Sequence, residues 1–334
     1  MADSQRLSTP LPTPHPTAIN AVLRAVRQAA DVLCDRWTMS VLLLAFTGVT
    51  RFNDFRAKSG IASRQLTQRL LALESHGIMI RMPYSLRPLR HGTYLTPMGE
   101  DLFQVFACMT SWEQIWGGLA DELKLEVRHL DCHQSAVSPQ LVCSHCKAQI
   151  HALDIVGLEE ALPRQDRLPS KKTMYRRSSS LRASQSLPSP LPHAIEIVGD
   201  KWTIEILVIV FMRIGSFVDI QEASGISSNV LSDRLGRLGE LGILRQVTNA
   251  ETERTGTYKV TQKGVAFYPI LLALQSWADK WLPNRLRSPL PLRHKLCGRP
   301  LATEVSCDHC ELDLTAHNTK AVLVGSAARA RNVV

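Results

Sequence analysis

The chain contains an internal repeat, which limits its architecture more than any other feature of the sequence. When the sequence is shifted by about 165 residues against itself, 17 of the 46 positions from Cys34 to Met79 are identical without a gap. The same shift places Trp112 on Trp277. An offset that holds over so much of the chain indicates duplication of one structural unit. The length of 334 residues is sufficient for two domains with separate cores.

Composition and charge narrow the class of protein. The net charge of +9 favours an acidic partner, of which nucleic acid and anionic membrane surfaces are the usual ones. The longest apolar run, Ile206 to Met212, is far shorter than the roughly 20 residues that a membrane helix needs. The N-terminus is rich in Pro and Thr and lacks the apolar core of a signal peptide. We therefore expect a cytoplasmic protein that does not bind membranes and keeps its cysteines reduced.

Hydrophobic spacing predicts the same series of elements in both copies. In the first copy, helical periodicity covers residues 18–33, 36–46 and 52–58, and Gly60 provides a tight turn. Leu66, Leu70 and Leu73 then lie on one face of a further helix. Two short strands (78–82 and 93–96), separated by a wing loop (83–92), precede a final helix (98–123). The second copy repeats the series at residues 201–212, 217–223, 227–240, 243–247, 257–261 and 264–281.

Helix, tight turn, helix and wing predict a mainly α fold with small β wings, in which each of two winged helix-turn-helix domains is followed by a small Cys-rich module. We expect seven segments: a disordered N-terminus (1–17), the first winged domain (18–125), a first Cys/His module (126–150), a basic Ser/Pro-rich linker (151–190), the second winged domain (191–287), a second Cys/His module (288–316) and a flexible tail (317–334). The linker has too few large apolar side chains to offset the entropy of ordering it.

Several motifs resemble the HxlR-type family of bacterial winged helix-turn-helix regulators. The resemblance covers approximately residues 18–123 and 185–287. The matching stretches are Asp35-Arg36-Trp37-Thr38, Gln68-Arg69-Leu70, Asp200-Lys201-Trp202-Thr203, Ser224-Gly225-Ile226-Ser227, Leu231-Ser232-Asp233-Arg234-Leu235 and Leu241-Gly242-Ile243-Leu244. The resemblance implies sequence-specific binding of double-stranded DNA to control transcription, usually as a homodimer.

Two features depart from that family. Most members have one winged domain in each chain, whereas this chain has two. Some members sense oxidants through a cysteine about 13 residues before the Trp, but those positions here hold Arg24 and Ser189. A thiol-sensing role is therefore not implied by the resemblance.

In this class of fold, the helix after the glycine turn enters the major groove, and its first residues contact base edges. The residues predicted to contact DNA in the first copy are Ser63, Arg64, Gln65, Gln68, Arg69, Arg81, Arg87 and Arg90. Arg pairs with guanine and Gln with adenine, while a cationic wing suits the phosphate backbone. Arg69 lies at the edge of the apolar face, so its partner is either a phosphate or a carboxylate such as that of Asp54. We favour the structural role.

The second copy has a weaker predicted reading surface. Its candidate contacts are Ser228, Asn229, Asp233 and Arg237. The carboxylate of Asp233 would repel phosphate, and the wing carries Glu251 and Glu253 beside Arg254. We therefore expect the first copy to provide most of the DNA affinity.

Each winged domain is followed by a compact pattern of histidine and cysteine. The two patterns are His129-x2-Cys132-x10-Cys143-x2-Cys146 and His294-x2-Cys297-x9-Cys307-x2-Cys310. Three thiolates and one imidazole suit tetrahedral Zn²⁺, so we predict a structural zinc site within each module. His145 and His309 also recur, but their position between two ligands is unfavourable. Reduced structural thiols and thiol redox chemistry are the alternatives.

The last helix of each copy carries a tryptophan pair, Trp112 with Trp116 and Trp277 with Trp281. This spacing suits either a core or a contact between copies, so the sequence allows an intrachain pseudo-dimer and a homodimer.

Two other functions compete with DNA-binding regulation: a redox sensor or enzyme that uses the Cys-x2-Cys pairs, and a protein-interaction adaptor on a winged-helix scaffold. No catalytic motif is recognisable, so we do not expect an enzyme. The sequence identifies no small-molecule effector.

Overall fold

In the computed structural model, the described residues are 16–118, 123–132, 136–157, 189–247, 256–282 and 292–325. Most of the predicted N-terminus and linker lies outside them, as do Glu251, Glu253 and Arg254 of the second wing. Among the described residues, no helix has the length and apolarity needed to cross a membrane.

The first winged unit (residues 16–118) consists of six helices and a two-stranded wing. Its elements are α1 (Pro16–Leu33), α2 (Arg36–Phe46), α3 (Phe52–Ser59), α4 (Ser63–Ser75), β1 (Met79–Leu86), β2 (Leu89–Leu95), α5 (Pro97–Glu100) and α6 (Phe103–Trp116). Three strands follow it: β3 (Lys124–His129), β4 (Pro139–Cys143) and β5 (Ile155–Gly157).

The second winged unit (residues 189–282) repeats this order with a shorter first helix. Its elements are α7 (Pro192–Val198), α8 (Lys201–Phe211), α9 (Phe217–Ser224), α10 (Ser228–Glu240), β6 (Leu244–Val247), β7 (Thr257–Val260), α11 (Gln262–Val265) and α12 (Tyr268–Trp281). Three further strands follow: β8 (Leu292–His294), β9 (Thr303–Cys307) and β10 (Thr319–Val324).

An aspartate begins the second helix of each unit, and a glycine ends the third. Asp35 accepts hydrogen bonds from the amides of Trp37 and Thr38, so it caps α2, and Asp200 caps α8 by accepting from the amide of Thr203. Gly60 follows α3 with a φ of 69°, a left-handed conformation that glycine adopts without steric cost. These local signals determine where the next helix of each unit begins, which is α4 in the first unit and α10 in the second.

Two predicted elements differ from the structure. The single helix expected at 98–123 is divided into α5 and α6 and ends at Trp116, because Gly117 and Gly118 follow and Gly118 has a φ of 65°. The predicted helix 264–281 is divided too, into α11 and α12. The wing expected as a loop at 83–92 is largely strand, with β1 and β2 joined at Arg87-Pro88. Pro83 is accommodated beside a register shift, where a missing ladder hydrogen bond is tolerated.

The two winged units pack on each other through reciprocal contacts. The indole of Trp112 donates to the carbonyl of Lys263 at 3.1 Å, and that of Trp277 donates to the carbonyl of Met98 at 2.8 Å. Asp35 and Asp200 meet in an antiparallel backbone bridge. Because the same patch of each unit meets the same patch of the other, the contact has the isologous form of a two-fold dimer within one chain. Of the expected tryptophans, Trp112 and Trp277 are buried in this contact.

The strands that follow the two units form their ladders across the repeats, and only isolated bridges link described residues within a repeat. β3 pairs with β10, β4 with β9 and β5 with β8, all antiparallel. The expectation of two separate Cys/His modules is therefore wrong, because their strands interleave into one body, which we call the composite module (123–132, 136–157 and 292–325). Residues 319–324, expected within a flexible tail, form β10.

Candidate nucleic-acid interface and metal centres

The recognition helix of the first unit, α4, has one buried and one exposed face. Leu66, Leu70 and Leu73 pack inward, as their spacing predicts. Ser63, Arg64 and Gln68 are exposed and Gln65 is half-buried. The leucine face thus turns the predicted base-contacting side chains toward solvent.

The wing of the first unit is both cationic and apolar at its surface. Arg81, Arg87 and Arg90, which were predicted to contact DNA, are all exposed. At the tip, the side chains of Leu86 and Leu89 are also exposed. A wing with this composition has cations for phosphate contact beside apolar groups.

Arg69 forms an ion pair within the protein. Its Nη2 donates to Oδ2 of Asp35 at 2.9 Å, and its Nε lies 2.9 Å from Oδ1. This corrects the suggestion that Asp54 is the partner. Arg234 makes the equivalent contact with Asp200, where Nε donates to Oδ2 at 3.0 Å. Arg69 thus joins α4 to the aspartate that caps α2, and Arg234 joins α10 to the aspartate that caps α8.

The corresponding helix of the second unit, α10, exposes Ser228, Asn229 and Asp233. Its Arg237 is bound by two carboxylates, those of Glu196 and Glu240. Hydrogen bonds to these carboxylates raise the pKa of Arg237 well above its usual range. Arg237 was predicted to contact DNA. In the structure, its guanidinium forms ion pairs with two carboxylates of the same unit.

The eight predicted metal ligands form two clusters, each able to hold a metal ion. The first cluster contains His129, Cys132, Cys307 and Cys310, and the second contains Cys143, Cys146, His294 and Cys297. In each cluster the ligand atoms lie within 4.8 Å of one another. The prediction of a complete site within each repeat is wrong, because every cluster takes one ligand pair from each repeat. Antiparallel pairing of β4 with β9 and of β3 with β10 causes this exchange.

Distances within the clusters fit a tetrahedral zinc ion. With Zn–S near 2.3 Å and Zn–N near 2.0–2.1 Å, tetrahedral angles give S–S separations of about 3.8 Å and S–N separations of about 3.5 Å. The Sγ atoms of Cys143 and Cys297 are 3.9 Å apart, and His294 Nδ1 is 3.2 Å from Sγ of Cys146. His129 Nδ1 lies 3.3 Å from Sγ of Cys310. All eight cysteines are free thiols, so no disulfide competes for these sulfurs.

The structure also separates the candidate histidines. His129 and His294 are buried, with Nδ1 toward the sulfurs, whereas His145 and His309 are exposed and belong to neither cluster. The amide of Arg299, helped by His294, lowers the pKa of Cys297 to about 7. A thiol with a lowered pKa is readily present as thiolate, the form that binds metal.

The two cysteines outside the clusters are unsuited to thiol chemistry. Cys34 and Cys108 are both buried in the core. Burial raises the pKa of Cys108 to about 12 and that of Cys34 still further above its ordinary value. Thiols of this kind remain protonated and inert at neutral pH.

Sequence reasoning missed two buried carboxylates that join the units. Glu113 on α6 accepts a hydrogen bond from the amide of Ala194 at 2.8 Å, and its other oxygen lies 2.7 Å from Nδ1 of His193. Glu205 on α8 accepts from Nε of Arg27 at 2.8 Å, and burial raises its pKa. The sequence signal that could have identified each of them is a single glutamate on an otherwise apolar helix face.

Two helix-turn-helix units, each with a wing, define this chain as a tandem winged helix-turn-helix protein. Comparison with known protein families identifies the family to which these units belong. The model of the HxlR-like helix-turn-helix family matches residues 32–120 and 197–286, more than half of the chain. The chain therefore belongs to the HxlR-like helix-turn-helix family, and the resemblance found in its motifs is confirmed.

The relatives that the chain matches are single-copy in length. The HTH-type transcriptional regulator Rv3095 of Mycobacterium tuberculosis is 34% identical over 131 residues, which are 39% of this chain and 82% of the relative. The HTH-type transcriptional regulator YtfH of Escherichia coli is 31% identical over 90 residues, 27% of this chain and 71% of the relative. Both are themselves uncharacterized. No solved structure matches the chain.

Proposed function

We propose that this chain is a cytoplasmic, non-enzymatic transcriptional regulator that binds double-stranded DNA sequence-specifically, and that its first unit provides most of the affinity. The charge difference between the two recognition helices carries the proposal. Arg64 and Gln68 of α4 occupy the positions that Asn229 and Asp233 occupy in α10. The second unit thus loses a cation and gains a carboxylate where the helix would meet DNA.

The wings support the same conclusion. Arg81 on β1 corresponds to Gln246 on β6. The second unit keeps two exposed cations, Arg245 and Lys259, on its strands. Phosphate contact by the second unit therefore remains favourable but weaker, and its recognition helix would select a different sequence.

Matched charge removal tests this assignment. DNA selected from a random pool by the wild-type protein serves as the probe, and affinity is measured by fluorescence anisotropy over a range of salt concentrations. Each lost phosphate contact reduces the slope of log affinity against log salt by about 0.9, so Arg87→Ala/Arg90→Ala should reduce it by about 1.8. The control, Arg245→Ala/Lys259→Ala, should change slope and affinity less. Equal effects of the two variants would show that the units contribute equally.

Base reading is tested separately with Arg64→Ala. A bidentate contact between arginine and guanine contributes about 1–3 kcal/mol of discrimination. The variant should therefore bind DNA with a relaxed preference at one position, measured by repeating the selection. An unchanged selected sequence would contradict a base-reading role for Arg64.

We further propose that the two clusters hold structural Zn²⁺. The donor set of three sulfurs and one imidazole, its closed character and the near-tetrahedral distances support this over thiol redox chemistry. Elemental analysis of the protein purified under reducing conditions should find two zinc ions in each chain. A metal-free protein that is fully folded would contradict the proposal and favour reduced structural thiols.

A final part of the proposal concerns stoichiometry. The reciprocal packing of the units supports one chain acting as the counterpart of a family homodimer. Light scattering of the protein bound to its selected DNA should then give one chain for each DNA duplex. Two chains on each duplex would favour the homodimer.

A further inference from the structure

The composite module lies across the helices that join the two winged units. Its strand β9 carries Thr303, whose hydroxyl lies 3.3 Å from Oε1 of Gln104 on α6 and 3.1 Å from Oγ of Ser276 on α12. On the paired strand β4, the carbonyl of Pro139 accepts a hydrogen bond from Ser111 of α6 at 2.6 Å. Because α6 and α12 belong to different units, whatever stiffens this module also stiffens the contact between the units.

Backbone pairing alone gives the module little stability. It contains three separate two-stranded sheets, with six, five and three paired positions. Two-stranded sheets of this length are marginal in water without additional support. The metal clusters lie at the strand ends, since β3 ends at His129, β4 at Cys143, β8 at His294 and β9 at Cys307.

We infer that each zinc ion is bound jointly by the two repeats, and that zinc binding locks the two winged units into one fixed arrangement on DNA. The inference rests on the proposed zinc binding. Neither repeat alone completes a site, because each gives two ligands to one cluster and two to the other. Binding of the deprotonated ligands therefore couples metal affinity to docking of the repeats. The sites are cross-links between distant parts of the chain, such as Cys132 and Cys307.

A crossed set of variants tests the sharing of ligands. His129→Ala/Cys132→Ser/Cys307→Ser/Cys310→Ser removes one shared cluster and leaves the other complete, so one zinc ion should remain in each chain. His129→Ala/Cys132→Ser/Cys143→Ser/Cys146→Ser removes the same number of ligands but takes half of each cluster, so no tightly bound zinc should remain. If each repeat formed its own site, the two results would be exchanged, and this exchange would overturn the inference.

The unmodified chain provides a second readout that does not depend on the folding of variants. During titration with a chelator, cysteines released from zinc are alkylated and followed by intact-protein and peptide mass spectrometry. Cys132 should become reactive in parallel with Cys307 and Cys310, and Cys297 in parallel with Cys143. Release of Cys132 together with Cys143 but separately from Cys307 would refute sharing. A wild-type protein without zinc would instead refute the proposed cofactor.

The proposed fixing of the two winged units by zinc is tested by measuring DNA affinity. Joining two binding units in a fixed geometry raises affinity for a double site by about 10²–10⁴-fold over a single site. Chelation should therefore reduce affinity for the full selected site by about tenfold or more, and leave binding to a DNA that retains only one half-site within about twofold. Restored affinity after adding Zn²⁺ is expected. Equal affinity for the full site with and without zinc would overturn the lock while leaving zinc binding itself intact.

Discussion

The two arginine–aspartate pairs place equivalent interactions in two environments of one chain, and Arg234 has a second ion pair with the exposed carboxylate of Asp233. The side chains of Arg69 and Asp35 are 32% and 38% exposed, whereas those of Arg234 and Asp200 are 12% and 14% exposed. Exposed pairs contribute about 0.2–1 kcal/mol, because water screens them. Breaking a buried pair costs about 3–5 kcal/mol, because one charge is left without a partner. We therefore predict that Arg234→Met destabilises the protein more than Arg69→Met.

The magnitude of the larger loss is reduced by the remaining contacts of Asp200. Its carboxylate still accepts hydrogen bonds from the amide and the hydroxyl of Thr203, at 2.9 and 3.0 Å. We therefore expect about 2 kcal/mol for Arg234→Met, below the range for a fully buried pair because this pair is partly exposed, and about 0.5 kcal/mol for Arg69→Met. Methionine retains most of the side-chain volume, so the comparison isolates the charge.

Urea unfolding of the full chain, followed by far-ultraviolet circular dichroism at fixed zinc concentration, measures both variants. With an m value of about 3 kcal/mol/M, the midpoint should fall by about 0.7 M for Arg234→Met and by less than about 0.3 M for Arg69→Met. Equal losses, or a larger loss for Arg69→Met, would refute the reasoning from burial.

The variant Arg69→Met also tests whether Arg69 contacts DNA. If Arg69 only positions α4 through Asp35, Arg69→Met weakens DNA binding without changing its salt dependence. If Arg69 contacts a phosphate, the slope of log affinity against log salt falls by about 0.9. We expect the unchanged slope.

Further predictions concern stability, and all are measured by urea unfolding. Glu113→Ala should cost about 3 kcal/mol, because it leaves the amide of Ala194 without its acceptor and removes a charge-assisted contact; a loss below 1 kcal/mol would contradict it. Gly60→Ala should cost about 1–2 kcal/mol at its φ of 69°. Gly236→Ala, in an exposed helical position with open space around it, should instead stabilise by about 1 kcal/mol. Burial raises the pKa of Glu205, so its folded form binds protons more readily than its unfolded form. Stability relative to Glu205→Gln should therefore decrease as pH rises above the ordinary glutamate value and through the raised pKa; a pH-independent difference would contradict this.

Much of each winged unit could be predicted from local sequence. Leu66, Leu70 and Leu73 fixed the buried face of α4, since side chains three and four residues apart share one side of a helix. Helix α2 was predicted with the bounds that it has, because helical periodicity of the apolar residues runs from Arg36 to Phe46. The interruptions between α5 and α6 and between α11 and α12 were missed, since the apolar pattern continues through them.

Partners of charged side chains were less predictable. Arg69 was assigned a carboxylate partner from its position at the edge of the apolar face, but Asp54 was chosen instead of Asp35. Arg237 was assigned to DNA, whereas Glu196 of α7 binds it. Such pairs depend on how helices cross in space, which periodicity within one helix does not encode.

The sequence by itself determined that one unit is present twice, that each copy has a winged helix-turn-helix fold, and which eight residues form the two Cys/His clusters. Only the tertiary structure decided which ligand pairs meet. Spacing within the chain identifies Cys143 and Cys146 as a pair, but it contains no information on whether His129 or His294 completes their site. That choice follows from the reciprocal packing of α6 and α12 and from strand pairing across the repeats, interactions between residues more than about 130 positions apart.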